Sequence, residues 1–183
     1  MGTDARFGWI IETIGVRAGD RVLEIGAGSS PSVAYLAEAV GGGQVVAVDR
    51  SATAVARSRR KHAHLVDSGK VRLVQVAVEE LRPGDVLGGD GRRFDKVLAV
   101  NVNLFWTRRP TAELALIREL LGPGGTLSLV YGYGDPTDSV GESPKPLPGK
   151  LSGYLAEAGY MVRTYSSGDL LCVTATPEGA PER

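Results

Sequence analysis

Apolar residues come in short runs along this chain, each closed by glycine or by a polar cluster. Val22, Leu23 and Ile25 make the first run, and their place between the Gly19-Asp20 break and a glycine turn predicts a strand over Arg21 to Ile25. The β-branched runs Gln44 to Val48, Val71 to Val76, Phe94 to Val100 and Thr126 to Tyr131 predict four more, the last introduced by Gly122-Pro123-Gly124-Gly125. Between them, Ser32 to Val40, Ala52 to Leu65, Glu79 to about Leu87 and Thr111 to Leu121 are long enough for helices. In the last of these, Leu114, Ile117, Leu120 and Leu121 recur at helical spacing, with Arg118 and Glu119 on the other side. Strands alternating with helices predict a mostly parallel sheet covered on both faces.

The rhythm changes near the end. After a helix around Leu151 to Ala158, the runs Tyr160 to Tyr165 and Asp169 to Ala175 are separated only by Ser166, Ser167 and Gly168. A parallel crossover needs about a dozen residues, so these two strands form an antiparallel hairpin and the sheet is mixed. No fixed-period repeat is present, and Pro177 to Arg183 reads as a loose tail. At roughly 150 residues per domain, 183 residues make a single domain spanning 1–183. Within it, residues 1–18 carry Phe7, Trp9, Ile10, Ile11 and Ile14, which predict a short helix or arm that covers a ligand mouth or packs on a second copy to make a homodimer.

Charge and composition narrow the function. Twenty-one Lys and Arg balance 21 Asp and Glu, which argues against a broad electrostatic attachment to nucleic acid. Cys172 stands alone, so there is no intrachain disulfide or Cys-rich zinc cluster, and a reducing compartment is indicated. No apolar run approaches the ~20 residues of a membrane helix, and the first residues do not form a secretory signal, so cytoplasm is the expected location. His62 and His64 fall on different sides of a helix, which argues against a paired metal site; the charged run Arg57 to His64 reads as solvated helix surface.

Candidate chemistry begins at Val22-Leu23-Glu24-Ile25-Gly26-Ala27-Gly28-Ser29-Ser30-Pro31, where a strand passes through a glycine turn into a helix whose first N–H groups are unpaired. Such a turn receives a nucleoside-like or anionic ligand. Asp49 closes the second strand 21 residues beyond Gly28, where a carboxylate can accept from both hydroxyls of a ribose; alternatively it caps the helix starting near Ser51. Turn and acid together indicate an adenosine-type cofactor. Pro31 occupies the third-glycine position of the dinucleotide fingerprint, so that pattern is incomplete for NAD. Glu24, an acid among apolar neighbours, needs hydrogen bonds to be buried. It either accepts backbone N–H bonds beside the turn, meets a cationic ligand through water, or braces the loop after the fourth strand.

From Arg21 to Ala175 these segments resemble the class I S-adenosylmethionine-dependent methyltransferases. The stretch Val22 to Gly28 is similar to their first motif, Asp49 to their ribose-binding acid, Phe94 to Val100 to their fourth strand, and Leu120 to Leu127 to the helix, turn and fifth strand that follow. The resemblance implies a Rossmann-like three-layer α/β sandwich with a mostly parallel seven-stranded sheet and an antiparallel terminal strand. It also implies S-adenosyl-L-methionine as cofactor, held by Glu24, Gly26, Ala27, Gly28, Asp49, Arg50, Ala77, Val78, Glu79 and Asn101. The family's adenine-binding acid has Ala77 in its place here, so Glu79 or the backbone around Ala77 and Val78 serves.

Asn101, Asn103, Trp106 and Tyr131 are the residues expected around the transferred methyl group, with the connection Gly132 to Pro148 as a substrate lid that also offers Tyr133. Asn101-Val102-Asn103-Leu104 lacks the prolines carried by relatives that methylate exocyclic amines, which argues further against a nucleic-acid acceptor. The expected reaction is direct in-line methyl transfer to a small-molecule acceptor, with no metal and no evident base. The alternatives are a non-catalytic S-adenosylmethionine-binding assembly or sensor protein and, less favoured, a nucleotide-dependent oxidoreductase.

Overall fold

A computed structural model describes residues 5–137 and 145–179. In chain order the elements are α1 (Ala5–Ile14), β1 (Arg21–Ile25), α2 (Ser32–Ala39), β2 (Gln44–Asp49), α3 (Ala52–Lys61), α4 (Ala63–Asp67), β3 (Val71–Gln75) and α5 (Pro83–Val86). There follow β4 (Phe94–Val100), α6 (Leu104–Thr107), α7 (Thr111–Leu120), β5 (Leu121–Tyr131), α8 (Pro148–Glu157), β6 (Tyr160–Ser167) and β7 (Leu170–Pro177). The seven strands form one sheet in the order β3-β2-β1-β4-β5-β7-β6. Pairing is parallel from β3 across to β5, while β7 runs antiparallel to both β5 and β6.

Side-chain alternation along the strands divides the core into two layers. Leu23, Ile25, Val97, Leu127 and Leu129 face one way, against Leu114, Ile117 and Leu120 of α7 and Leu151 and Leu155 of α8. Val22, Val45, Leu98 and Val130 face the other way, against Phe7, Ile10 and Ile14 of α1 and Val33 and Leu36 of α2. Helices therefore cover both faces of a mostly parallel sheet, as in the Rossmann-like arrangement expected from the sequence. α1 packs on α2 and β7, with Phe7 stacked on Tyr35 at 5.3 Å between ring centroids. Its apolar stripe is thus used on the body of the same chain, on the face opposite α7 and α8.

Several elements differ from the expectation. The helix predicted from Glu79 starts only at Pro83, which takes a first-turn position, because the residue before a proline is held out of the α region and Arg82 is extended (φ −120°, ψ 151°). The helix predicted over Ala52 to Leu65 breaks at His62 (φ −118°, ψ 30°) into α3 and α4. His62 and Ser58 are both buried, so one line of that charged run faces inward and is not solvated. α6, of four residues, is too short to show a hydrophobic period. Among the described residues no helix is long and apolar enough to cross a membrane.

Asp169, just before β7, closes the base of the β5–α8 connection. Its Oδ1 and main-chain oxygen accept from Lys145 Nζ at 2.5 and 2.6 Å, and its Oδ2 accepts from the Tyr133 N–H at 3.4 Å. Gly132 lies against the same residue with φ +118°, and a Cβ there would stand 2.3 Å from the Asp169 carbonyl oxygen. Residues 138–144, which include part of the expected lid, lie outside the described residues.

Glu24 is enclosed in β1 on the α2 side, in alternation with Leu23 and Ile25 on the other, and is 1 % exposed. Burial pushes its carboxyl up to about 7; the Ser32 hydroxyl works against that shift and the Asp49 carboxylate adds to it. A folded-state pKa above the unfolded value near 4.5 means that the native chain binds more protons between those two values. The stability of the protonated form is therefore fully present below pH 4.5 and is lost as the pH rises through about 7.

Denaturant unfolding across that window will show a fall on the order of 3 kcal/mol that Glu24→Gln abolishes; parallel pH profiles for the two proteins would contradict the assignment. In thermal melts Gly132→Ala will cost at least about 2 kcal/mol. By contrast, Gly153→Ala, inside α8 with open space around the added methyl, will gain up to about 1 kcal/mol.

Candidate functional site

Beyond β1 the chain proceeds to β2 and β3 on one side, whereas beyond β4 it proceeds to β5 on the other. Loops leaving the carboxyl ends of β1 and β4 diverge, and a crevice opens between them at this switch point. A cavity of about 480 Å³ occupies it. Its wall is made by Ile25 and Gly26 after β1, Val48 to Arg50 after β2, Val76 to Glu79 after β3, Asn101 to Leu104 after β4, and Thr107 and Arg108 at the end of α6.

The glycine turn is held by its own N–H groups. Gly26 and Ala27 both donate to the Val48 carbonyl, at 2.9 and 3.2 Å, and Gly28 donates to Asp49 Oδ2 at 2.8 Å. Gly26 (φ +70°) and Gly28 (φ +59°) take the left-handed conformation that favours glycine. At Gly26 a Cβ would also come within 2.6 Å of Val102 Cγ2, so the loop after β4 rests directly on this residue. The three N–H groups of the turn are thus engaged within the protein, and of the α2 N–H groups expected to be unpaired, that of Ser32 is taken by Ser30 Oγ at 3.2 Å. The turn can offer a ligand carbonyl oxygen, a surface suited to a cation or a neutral donor.

Asp49 reaches the cavity wall but does not cap α3, a place taken by Ser51. Oδ2 holds Gly28, and Oδ1 accepts the Ser51 N–H at 2.8 Å, while Ser51 itself caps α3 through Ala54. A carboxylate oxygen has more than one lone pair, so each keeps acceptor capacity toward the cavity. Arg50, Ala77, Val78 and Glu79 share the wall. Glu79 lies 3.7 Å from Arg108, whose guanidinium is gripped at 2.6 Å by the buried Glu113. Arg108, Val102, Leu104 and Thr107 were not singled out from the sequence; only the packing of α6 beneath the loop brings them to the wall.

The residues expected around the methyl group separate. Asn101 and Asn103 line the cavity, and each has a hydrogen-bond partner within the protein. Asn101 (φ 55°) exchanges two hydrogen bonds with the Gly132 main chain, at 2.9 and 3.0 Å, and ties the ends of β4 and β5 together. Asn103 Oδ1 accepts from the Trp106 indole N–H at 3.3 Å. Trp106 stands outside the cavity wall, packed on the core edge beside buried Phe105.

Tyr131 is also outside, because period-two alternation puts it on the face of Leu127 and Leu129. It is 1 % exposed, burial pushes its hydroxyl well above the ordinary tyrosine value, and it donates to the Val102 carbonyl at 3.0 Å. Glu24 lies within β1 before the turn, and neither it nor Ala27 and Gly28 of the turn line the wall. Among the described residues no cluster of His, Cys, Asp and Glu could hold a metal ion.

Comparison with known proteins agrees with this arrangement. A family profile described as a methyltransferase domain matches residues 23–127, more than half of the chain. No curated protein matches it by sequence. Among solved structures, an S-adenosylmethionine-dependent methyltransferase from Aquifex aeolicus superposes with a TM-score of 0.71 at 18% identity, over 92% of this chain and 88% of that one. The magnesium protoporphyrin IX methyltransferase of Synechocystis PCC 6803, solved with S-adenosylmethionine, gives 0.66 at 19% identity over 96% and 77%. The glycopeptide N-methyltransferase MtfA gives 0.71 at 18% identity over 95% and 90%. At such identity the structural likeness speaks for the fold, and the profile speaks for the family. The chain belongs to the methyltransferase domain family, the class I S-adenosylmethionine-dependent methyltransferases.

Proposed function

We propose that the cavity holds S-adenosylmethionine and that the acceptor is a small molecule. The observation that carries this reading is the engaged set of N–H groups at Gly26, Ala27 and Gly28. A dinucleotide's pyrophosphate needs free N–H donors at this turn, whereas the ammonium of a zwitterionic amino-acid end needs oxygen acceptors. Asp49 provides the ribose acceptor, and the backbone of Ala77 and Val78 with Glu79 borders the adenine. A cavity of about 480 Å³ is within the ordinary range of ligand sites.

When bound, the cofactor supplies a methyl group on a positively charged sulfur, already electrophilic without help from a metal. The chain's own part is to orient and to exclude water. Asn101, held by Gly132, and Val102, seated on Gly26, fix the wall after β4, so that an acceptor entering from this side meets a set geometry. Ordered approach alone lowers barriers by up to ~7 to 11 kcal/mol in model reactions. The ionisable side chains on the wall are Asp49, Arg50, Glu79 and Arg108; both acids are tied to protein partners, so the proposed catalysis is by approximation with no dedicated base. One of the similar structures is a magnesium protoporphyrin IX methyltransferase, which supports a small-molecule acceptor here.

Titration calorimetry will show binding of S-adenosylhomocysteine and none of NAD. Asp49→Ala, with folding verified by circular dichroism, will weaken that binding at least about tenfold, as expected for losing charged acceptors. Unchanged affinity would remove Asp49 from the cofactor site. Release of S-adenosylhomocysteine from S-adenosylmethionine should require the ultrafiltered small-molecule fraction of a cell extract; release driven by the protein or nucleic-acid fraction instead would reject the proposed acceptor class.

A further inference from the structure

Arg108 and Glu79 stand together on the crevice wall, and Glu113 lies behind them in the first turn of α7. Glu79 is 44 % exposed and Arg108 49 %, whereas Glu113 is 5 % exposed. A carboxylate so deeply placed is destabilising unless it is paired, and Glu113 Oε2 is buried with no hydrogen-bond partner. An apolar side chain would have filled the place without that penalty. The reason for Glu113 is its other oxygen, which accepts from Arg108 Nη2 at 2.6 Å. The main chain reinforces the grip: Arg108 closes α6 in an extended conformation (φ −140°, ψ 173°), and Pro110 stiffens the entry to α7.

The same Nη2 lies 3.7 Å from Glu79 Oε1, too far for a hydrogen bond but close enough for charge to orient a carboxylate. An ion pair this exposed adds little to stability. Its effect is on direction: Oε1 is drawn toward Arg108, which leaves Oε2 to accept elsewhere. The main chain of Glu79 is already set by a turn in which the Glu80 N–H donates to the Ala77 carbonyl at 3.0 Å. With alanine at position 77, Glu79 is the acid that the segment after β3 brings to the cavity wall. Adenine offers an amine, for which a carboxylate is the matching acceptor.

We propose that Arg108 is a positioning residue for adenine recognition: pinned to α7 by Glu113, it holds the Glu79 carboxylate toward the exocyclic amine of the cofactor. This rests on the cofactor reading given above and adds to it a clasp between α7 and the loop after β3. Arg108 acts through Glu79, so its contribution is to the choice between an amine and an oxo group on the purine.

The test measures, by calorimetry on the full chain, the preference for S-adenosylhomocysteine over S-inosylhomocysteine, which carries an oxo group in place of the amine. The unaltered protein will prefer the amine by at least about tenfold, as expected for a hydrogen bond to a charged group. Arg108→Met will reduce that preference to within about threefold, mostly by weakening S-adenosylhomocysteine. Glu79→Gln, whose amide can donate to the oxo group, will abolish or reverse it. Arg108→Lys, which keeps a cation between the two acids, will retain more of the preference than Arg108→Met. Should Arg108→Met be unfolded by circular dichroism, Glu113→Gln, which slackens the guanidinium without removing it, carries the same comparison. No preference in the unaltered protein, or a preference that survives loss of the guanidinium, overturns the proposal while leaving the cofactor assignment standing. Equal weakening of both ligands, the mark of a purely structural role, does the same. Failure of the unaltered protein to bind either ligand removes the cofactor assignment and this proposal with it.

Discussion

The bond from the Gly28 N–H to the Asp49 carboxylate is the constraint on which the crevice depends. Parallel neighbours have no hairpin to join their carboxyl ends, so the loops beyond β1 and β2 need another tie. A charge-assisted bond supplies it, and the Val48 carbonyl takes the two preceding N–H groups of the same turn. The turn is thereby locked to β2. Val102 then closes from the other side, onto a residue that has no side chain to oppose it.

The same economy holds across the crevice. Asn101, Asn103 and Tyr131 have the functional groups one would choose for chemistry, yet each is spent on another part of the protein: Gly132, Trp106 and the Val102 carbonyl respectively. Asn101 and Tyr131 hold the loop after β4 against the end of β5, while Asn103 braces that loop from within. Rigid placement of that loop is what a reaction driven by approximation requires.

Order and type of the strands were legible because β-branched runs and glycine breaks repeat on a strand scale, and the three-residue spacer Ser166-Ser167-Gly168 left room only for a reversed strand. Gly26, Asp49, Arg50, Ala77, Val78 and Glu79 were legible as neighbours because each closes or follows a parallel strand, and parallel strands bring those ends together. Side-chain direction was not. Tyr131 and Trp106 are near the crevice in sequence, but alternation in β5 and the unforeseen α6 turn them toward the core. His62 was hidden by its charged neighbours, since a break after Lys61 changes which residues face inward. The signal that could have found it was the spacing of four from Ser58, the one small residue in an arginine-rich stretch.

Tyr133 and Lys145 are both secured to Asp169, a residue that belongs to neither β5 nor α8. The chain between them is therefore a module whose two ends are pinned independently of its contents. Lengthening such a segment is inexpensive, about 0.6 kcal/mol for each doubling. A lineage carrying this clasp could diversify what stands beside the Asn101–Gly132 seam by insertion or replacement there, while the cofactor half of the molecule, on the far side of the switch point, evolved under a separate set of constraints.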